Sequence, residues 1–253
     1  MTIKQIISPS AGLFHDADTN SGRETDALYG EVVEVLHKAG DWAEVILKTD
    51  GYQAFIEQKH LGSPQDPTHH VIAPRALMTK APDIKSPAAG YLPMGSLVRL
   101  GAKTDRMQSV ISADDTILGY IMSDHVLPCG DYVDDFVTTA ELCIGTPYRW
   151  GGRDSFGFDC SALVQLSLAS AGIAVKRNSG DQEATIGKTL DDIDALRRGD
   201  LVFWRGHVGI MQDAENLLHA NMWHGMTASE NLRAAIPRLE KAAGPITRLA
   251  RAL

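Results

Sequence analysis

The stretch FDCSALVQLSLASAG, residues 158–172, constrains this chain more than any other. Leu163, Leu166 and Ala169-Ser170 recur at helical spacing, and Gly172 marks a stop. The pattern predicts an amphipathic helix with Cys160 at its first turn. Unpaired N–H groups and the helix dipole at that end favour a thiolate, so the position predicts a lowered thiol pKa. Just upstream, Gly151, Gly152 and Gly157 crowd the chain before the helix, which predicts a close backbone approach. Downstream, RRGDLVFWRGHVGIMQ places His207 after an Arg205-Gly206 turn, at the head of an apolar strand. A cysteine opening a helix and a histidine opening a strand are the parts a thiol nucleophile requires.

The other two cysteines have no such setting. Cys143 falls on the apolar side of a preceding helix and Cys129 in a linker, and both read as small hydrophobes. Three cysteines without metal-ligand spacing match a reducing compartment better than a disulfide framework. The N-terminus lacks an apolar core of signal-peptide length, and no window approaches the roughly 18 apolar residues of a membrane helix. A cytoplasmic location is the expectation, with no membrane partner. The net charge of −8 argues against nucleic acid as a partner.

The chain divides into three segments. Residues 1–66 carry strand candidates at Glu31–Leu36, Trp42–Leu47 and Tyr52–Ile56, separated by Gly and Asp turns. They predict a small antiparallel barrel, with the run SPQDPTHH (63–70) as a linker. Residues 67–128 look like a weaker second copy, with candidates at Met94–Leu100, Gln108–Ser112 and Thr116–Ile121. Residues 129–253 change character. Asp131 is placed to cap a helix carrying Val133, Phe136, Val137 and Ala140, then comes the Cys160 helix. Strands follow at 201–204, 207–212, 217–220 and 246–249. The expected class is an α+β domain, a helix packed on an antiparallel sheet, preceded by two small all-β barrels.

A thiol enzyme needs a base, and the base needs an orienting partner. Of the nine histidines, His207 and His219 lie on successive strands. Faces alternate along a strand, so the two rings share a face only if the connection has an odd number of residues. A three-residue loop at Asp213-Ala214-Glu215 would pair Gln212 with Asn216 and Gly209 with His219. His207 would then sit diagonal to His219, within reach of a polar contact.

GTPYRWGG, GFDCSALVQ, RNSGDQ, RRGDLVFW, HVGI and LLHA, in that order over residues 131–250, resemble the NlpC-type cell-wall peptidases, a papain-like family. SGRETDALYGEVVEVLHKAGDWAEV followed by DGYQAFI resembles the bacterial Src-homology-3-like barrels found in one branch of that family. Departures are Asp-Ala-Glu-Asn where the hairpin after HVGI has a glycine, LVFW for LVFF, and no glycine before the aromatic of DGYQAFI.

The resemblance implies a γ-D-glutamyl-L-diamino-acid endopeptidase with Cys160 as nucleophile, His207 as base and His219 as orienting residue. It implies substrate-binding roles for Tyr148, Asp159, Ser161 and Ser179. It further implies that the first barrel recognises the free amine of an N-terminal L-Ala through Glu24 and Tyr52. Read without the resemblance, Glu24 is equally a solvated charge and Tyr52 equally a core residue. The expected partner is a small murein peptide from peptidoglycan turnover, with no cofactor and no metal. Two other classes stay open: an amidase or acyltransferase on the same fold, and a non-catalytic wall-binding protein.

Overall fold

A computed structural model describes residues 2–252, which divide into two compact units. The first comprises residues up to Tyr132 together with Arg153–Ser155; the second comprises Val133–Gly152 and Phe156 onward.

Two seven-stranded antiparallel sheets make up the first unit. In spatial order the first runs Arg23–Leu28, Ser10–Phe14, Gln53–Glu57, Trp42–Leu47, Val32–Ala39, Thr2–Ile6, Leu61–Gly62. The second runs Ala88–Pro93, Arg75–Thr79, Ile117–Met122, Met107–Ile111, Leu97–Thr104, His69–Val71, Val126–Pro128. Counted along the chain, both follow the same order: third, second, sixth, fifth, fourth, first, seventh. The loose repeat in sequence is thus a full repeat in topology.

Each sheet encloses a core of its own, which a single sheet does by curling around it. Leu13, Val33, Val45, Leu47 and Ile56 fill the first, and Val71, Leu92, Val98, Val110 and Ile121 the second. Alternation drives this: along Trp42–Leu47 every second residue is buried. Val71 N–H and Leu97 N–H bond to Ser96 O and Tyr29 O at 2.9 Å, and the Tyr29 side chain completes the second core.

Three expected boundaries shift for physical reasons. Tyr52 lies before its strand because Asp50 Oδ1 accepts its N–H at 3.0 Å in a local turn. Met94-Gly95-Ser96 forms a turn, with Gly95 at φ 85°, before the strand at Leu97. The expected linker is partly strand, since His69 and His70 pair with Pro128 and Leu127. Residues 129–132 also belong with the first unit: Cys129 N–H bonds to Thr68 O at 2.9 Å, and Tyr132 lies 6.2 Å from the His70 ring.

Arg153 is a buried cation of the first unit. Its guanidinium forks onto Glu31, with Nη1–Oε2 at 2.9 Å and Nη2–Oε1 at 3.0 Å, and it donates to Asp26 O at 2.8 Å. Its own N–H reaches Asp26 Oδ2 at 3.1 Å. Its Nε is buried without a hydrogen-bond partner, so the fork onto Glu31 and the bond to Asp26 O offset the burial of the charge.

The second unit is the α+β domain. Its six-stranded antiparallel sheet runs Lys188–Leu190, Ile246–Arg251, Asp200–Trp204, His207–Met211, Asn216–Asn221, Met226–Asn231. Helices α1 (Phe136–Glu141), α2 (Cys160–Ser170), α3 (Ser179–Thr185) and α4 (Leu232–Ala243) accompany it. Asp135, not Asp131, caps α1, accepting from Val137 N–H at 2.9 Å and from the Thr138 hydroxyl at 2.9 Å. Leu232, Ala235 and Leu239 of α4 pack with Val202, Trp204, Met211 and Leu217 of the sheet.

Helix α2 is not amphipathic. All of it is buried except Ala169. Residues 160–170 hold no charge; Ser170 bonds to Ser167 O at 2.7 Å and Gln165 to Val175 O at 3.3 Å, while the Ser167 hydroxyl is buried without a hydrogen-bond partner. A helix so composed can be covered on all sides, and it packs on the strands carrying His207 and His219. Among the described residues, no helix is long and apolar enough to cross a membrane.

Candidate active site

Asp159 fixes the start of α2, and with it Cys160. Its Oδ1 accepts the Ala162 N–H at 2.8 Å, the N-cap bond. Arg177 grips both oxygens, at 3.0 Å and 2.6 Å, and Gly151 N–H adds a bond of 3.0 Å. Arg177 also reaches the Ser161 hydroxyl at 2.8 Å, and Gln182 holds Ser161 O at 2.9 Å. Asp159 and Ser161 are therefore already engaged by the protein. Arg177 and Gln182 were not singled out in the sequence; the block RNSGDQ that holds them was.

The glycines before the helix serve chain packing. A Cβ on Gly152 would stand 2.1 Å from Gly157 O, and one on Gly157 would stand 2.4 Å from the Arg149 Cβ. Gly151 has φ 71°, a left-handed conformation that aims its N–H at Asp159.

The histidine strands have the register expected of a three-residue loop. Gln212 N–H bonds to Asn216 O at 2.8 Å, and Ile210 and Met211 pair with Leu218 and Leu217. The Asp213 carboxylate makes the turn, accepting from Glu215 and Asn216 N–H at 2.8 Å each. His207 and His219 consequently share a face, with His207 Nε2 and His219 Nδ1 at 2.7 Å. His219 is fully buried. Trp204, across the hairpin, stands 5.9 Å from the His207 ring.

Cys160 lies against the same strand: the backbone N–H groups of Val208 and Ser161 bond to its sulfur when ionised. The thiol is nevertheless not acidified. Burial, reinforced by the Asp159 charge, pushes it up to about 12, against the opposing pull of Val208 N–H, Arg177 and Ser161 N–H. The expectation of a lowered pKa weighed the helix end alone, and desolvation outweighs it. His207 moves the other way, down to about 3, by burial first and then by His219 and Arg238, with Glu230 opposing. Both shifts favour an uncharged thiol and an uncharged imidazole.

Tyr148 belongs to this site. Burial raises its hydroxyl to about 12, and the neighbouring Cys160 and Asp159 charges add to the effect. Ser179 opens α3, half-buried. In the first unit, Glu24 and Tyr52 meet: the Tyr52 hydroxyl donates to Glu24 Oε2 at 2.6 Å, with His15 3.5 Å from Oε1. Cys129 and Cys143 are free and stand outside these groups; burial lifts Cys143 to about 12.

One member of the site went unread in the sequence. Glu230, on the strand after His219, accepts from His219 Nε2 at 2.7 Å and pairs with Arg238 of α4. Neither that strand nor α4 was expected.

Residues 145–237 match the NlpC/P60 family, and residues 13–61 match the bacterial dipeptidyl-peptidase SH3 domain. A γ-D-glutamyl-L-lysine dipeptidyl-peptidase of Bacillus cereus is 28% identical over 240 residues, 85% of this chain and 71% of that protein. One of Bacillus subtilis is 28% identical over 227 residues, 80% of this chain and 73% of that protein. The crystal structure of an NlpC/P60 family protein from Bacillus cereus shares the fold, with a TM-score of 0.84 over 100% of both chains at 21% identity. The matches make residues 145–237 an NlpC/P60 cysteine-peptidase domain, which holds Cys160, His207 and His219, with a bacterial dipeptidyl-peptidase SH3 domain ahead of it at residues 13–61.

Proposed function

We propose that this peptidase cleaves the γ-D-glutamyl bond to the diamino acid in free murein peptides such as L-Ala-γ-D-Glu-meso-diaminopimelate or its L-lysine counterpart. The observation that carries the reading is the 2.7 Å contact between His207 Nε2 and His219 Nδ1, which leaves the other ring nitrogen of His207 for Cys160, whose sulfur meets the backbone of the next residue, Val208. The names of the two dipeptidyl-peptidases add the bond type.

The chemistry is acyl transfer through a thioester. Cys160 Sγ attacks the γ-carbonyl carbon of D-Glu while its proton passes to His207 Nδ1. The imidazolium returns that proton to the diamino acid's amine as the C–N bond breaks. Water then attacks the thioester with His207 as base, and the sulfur leaves and is reprotonated. Because thiol and imidazole both resist charge before substrate enters, proton transfer accompanies attack.

Tyr148 lines the acyl side of the cleft in this proposal, and Ser179, with the Asp159–Ser161 segment, contacts substrate. Glu24, held by Tyr52, supplies the counter-charge for the ammonium of L-Ala, since an ammonium out of water needs one. The three free cysteines fit the proposed role in cytoplasmic peptide turnover.

Mass spectrometry of the reaction with L-Ala-γ-D-Glu-meso-diaminopimelate tests this. The expected products are L-Ala-D-Glu and diaminopimelate, with the N-acetylated tripeptide cleaved far more slowly. Release of free alanine, or no cleavage of either diamino-acid form, would exclude the proposed bond. Equal rates with and without acetylation would remove Glu24 from amine recognition.

A further inference from the structure

A hydrogen bond between two neutral imidazoles can run either way. His207 can donate from Nε2 to His219, leaving Nδ1 bare and basic. Alternatively His219 can donate from Nδ1 to His207, and His207 then carries its proton on Nδ1, where it cannot accept one from Cys160. The 2.7 Å contact alone does not choose between them.

Glu230 does choose. It lies on the strand Met226–Asn231, whose Ala228 pairs with His219, so Glu230 is diagonal to His219 and on its face. Its carboxylate oxygen lies 2.7 Å from His219 Nε2. A carboxylate only accepts, so His219 Nε2 must carry the hydrogen and Nδ1 must be bare. His207 Nε2 must then donate, and His207 Nδ1 is left as the base. Arg238 keeps the carboxylate ionised, bonding to the same Oε1 while lying 5.0 Å from the Trp223 ring. Burial opposes ionisation of Glu230, but the bonds from His219 and Arg238 overcome it and hold the group at about 2.

We propose that Glu230, held by Arg238, is a positioning residue that sets the tautomers of His219 and His207 and so selects the ring nitrogen that serves Cys160. This rests on the peptidase reading of the site. His219, His224 and Glu230 also bring three metal-ligand atoms within 4.8 Å. The Arg238 guanidinium on the shared oxygen argues against a cation there, and His224 is taken up by Asn221 Oδ1, 3.0 Å away.

Among the described residues, the charged and titratable groups acting on the pair are His224, Glu230 and Arg238, with Cys160 against the backbone of Val208 beside it. Their signs give a test. Glu230 stabilises an imidazolium in the pair and Arg238 opposes it. Glu230→Gln keeps an acceptor and loses the charge, so the acidic limb of the kcat/KM profile moves to lower pH. Arg238→Ala moves it to higher pH. Glu230→Ala frees the tautomer and lowers kcat on the order of 10²-fold with KM little changed. Glu230→Asp restores part of that loss.

Two readouts need no substrate. One is the pH dependence of Cys160 alkylation by iodoacetamide in the same variants, whose limbs shift with the same signs. The other is ¹⁵N-histidine NMR, which reports His219 as the Nε2–H tautomer in the wild type and as a mixture in Glu230→Ala. They separate failure of this inference from failure of the substrate assignment. An Nε2–H His219 that persists in Glu230→Ala, or limbs that shift alike in Glu230→Gln and Arg238→Ala, would overturn it. So would activation of the purified wild type by added Zn²⁺ that Glu230→Gln abolishes.

Discussion

Each unit buries one arginine against carboxylates, and the second unit also buries a thiol beside two imidazoles. Arg153 forks onto Glu31 and touches Asp26; Arg177 forks onto Asp159 and touches Ser161. In both, burial is offset by geometry, with every charge answered by bonds aimed at it. Cys160 is buried and His207 half-buried with no counter-charge bonded to either, and desolvation drives both toward neutrality. Paired burial makes a rigid part. Burial that is answered only in the transition state makes a reactive one.

The largest effect expected from breaking that comparison is on the rigid side. Arg153→Ala strands Glu31, and Arg177→Ala strands Asp159, each costing about 3–5 kcal/mol of stability. Urea unfolding followed by circular dichroism checks both. Arg177→Ala should also cut kcat, because Asp159 caps the helix that begins with Cys160. Arg177→Lys, which keeps charge and loses the fork, should recover only part.

The reactive side should appear in the pH dependence of stability. His207 takes up its proton near pH 6.5 when unfolded and resists until about 3 when folded. The unfolded state therefore binds more protons between these values, and stability falls as pH drops through that window. Glu230, lowered from 4.5 to about 2, adds stability above 4.5 that is lost as pH falls toward 2. The urea midpoint should decline from pH 7 to pH 3, and His207→Ala should flatten the upper part of that decline. A midpoint constant over this range would contradict the downward shift of His207.

The smallest effect belongs to an exposed network. Arg198 bonds Asp135 and Glu141 at 2.9 Å, yet it is 38% exposed. Water screens such charges, so Arg198→Ala should cost less than about 1 kcal/mol by the same urea measurement. A loss comparable to Arg153→Ala would erase the distinction between paired burial and surface pairing.

What the sequence reveals and what it hides follow the same division. The register of the histidine strands was legible because strand faces alternate by a fixed rule, and one loop length decides whether His207 meets His219. The barrel strands were legible through alternating apolar residues and Gly or Asp turns. Met226-Thr227-Ala228-Ser229-Glu230-Asn231 was not, because only Thr227 favours a strand, and pairing with the His219 strand imposes the conformation. Helix α4 was hidden by Pro237 within it. Glu230 could have been sought from chemistry alone: a buried His219 with one nitrogen on His207 needs a partner for the other. The burial of Cys160 had no local signature, since desolvation comes from the packing around α2 rather than from the residues at its start.

The account depends most on Cys160 as the reacting group. Its most direct test is progressive alkylation by iodoacetamide, scored cysteine by cysteine with peptide mass spectrometry against residual hydrolysis of L-Ala-γ-D-Glu-meso-diaminopimelate. Activity should fall in proportion to the fraction of Cys160 modified, whatever the labelling of Cys129. Undiminished hydrolysis with Cys160 fully alkylated would contradict it.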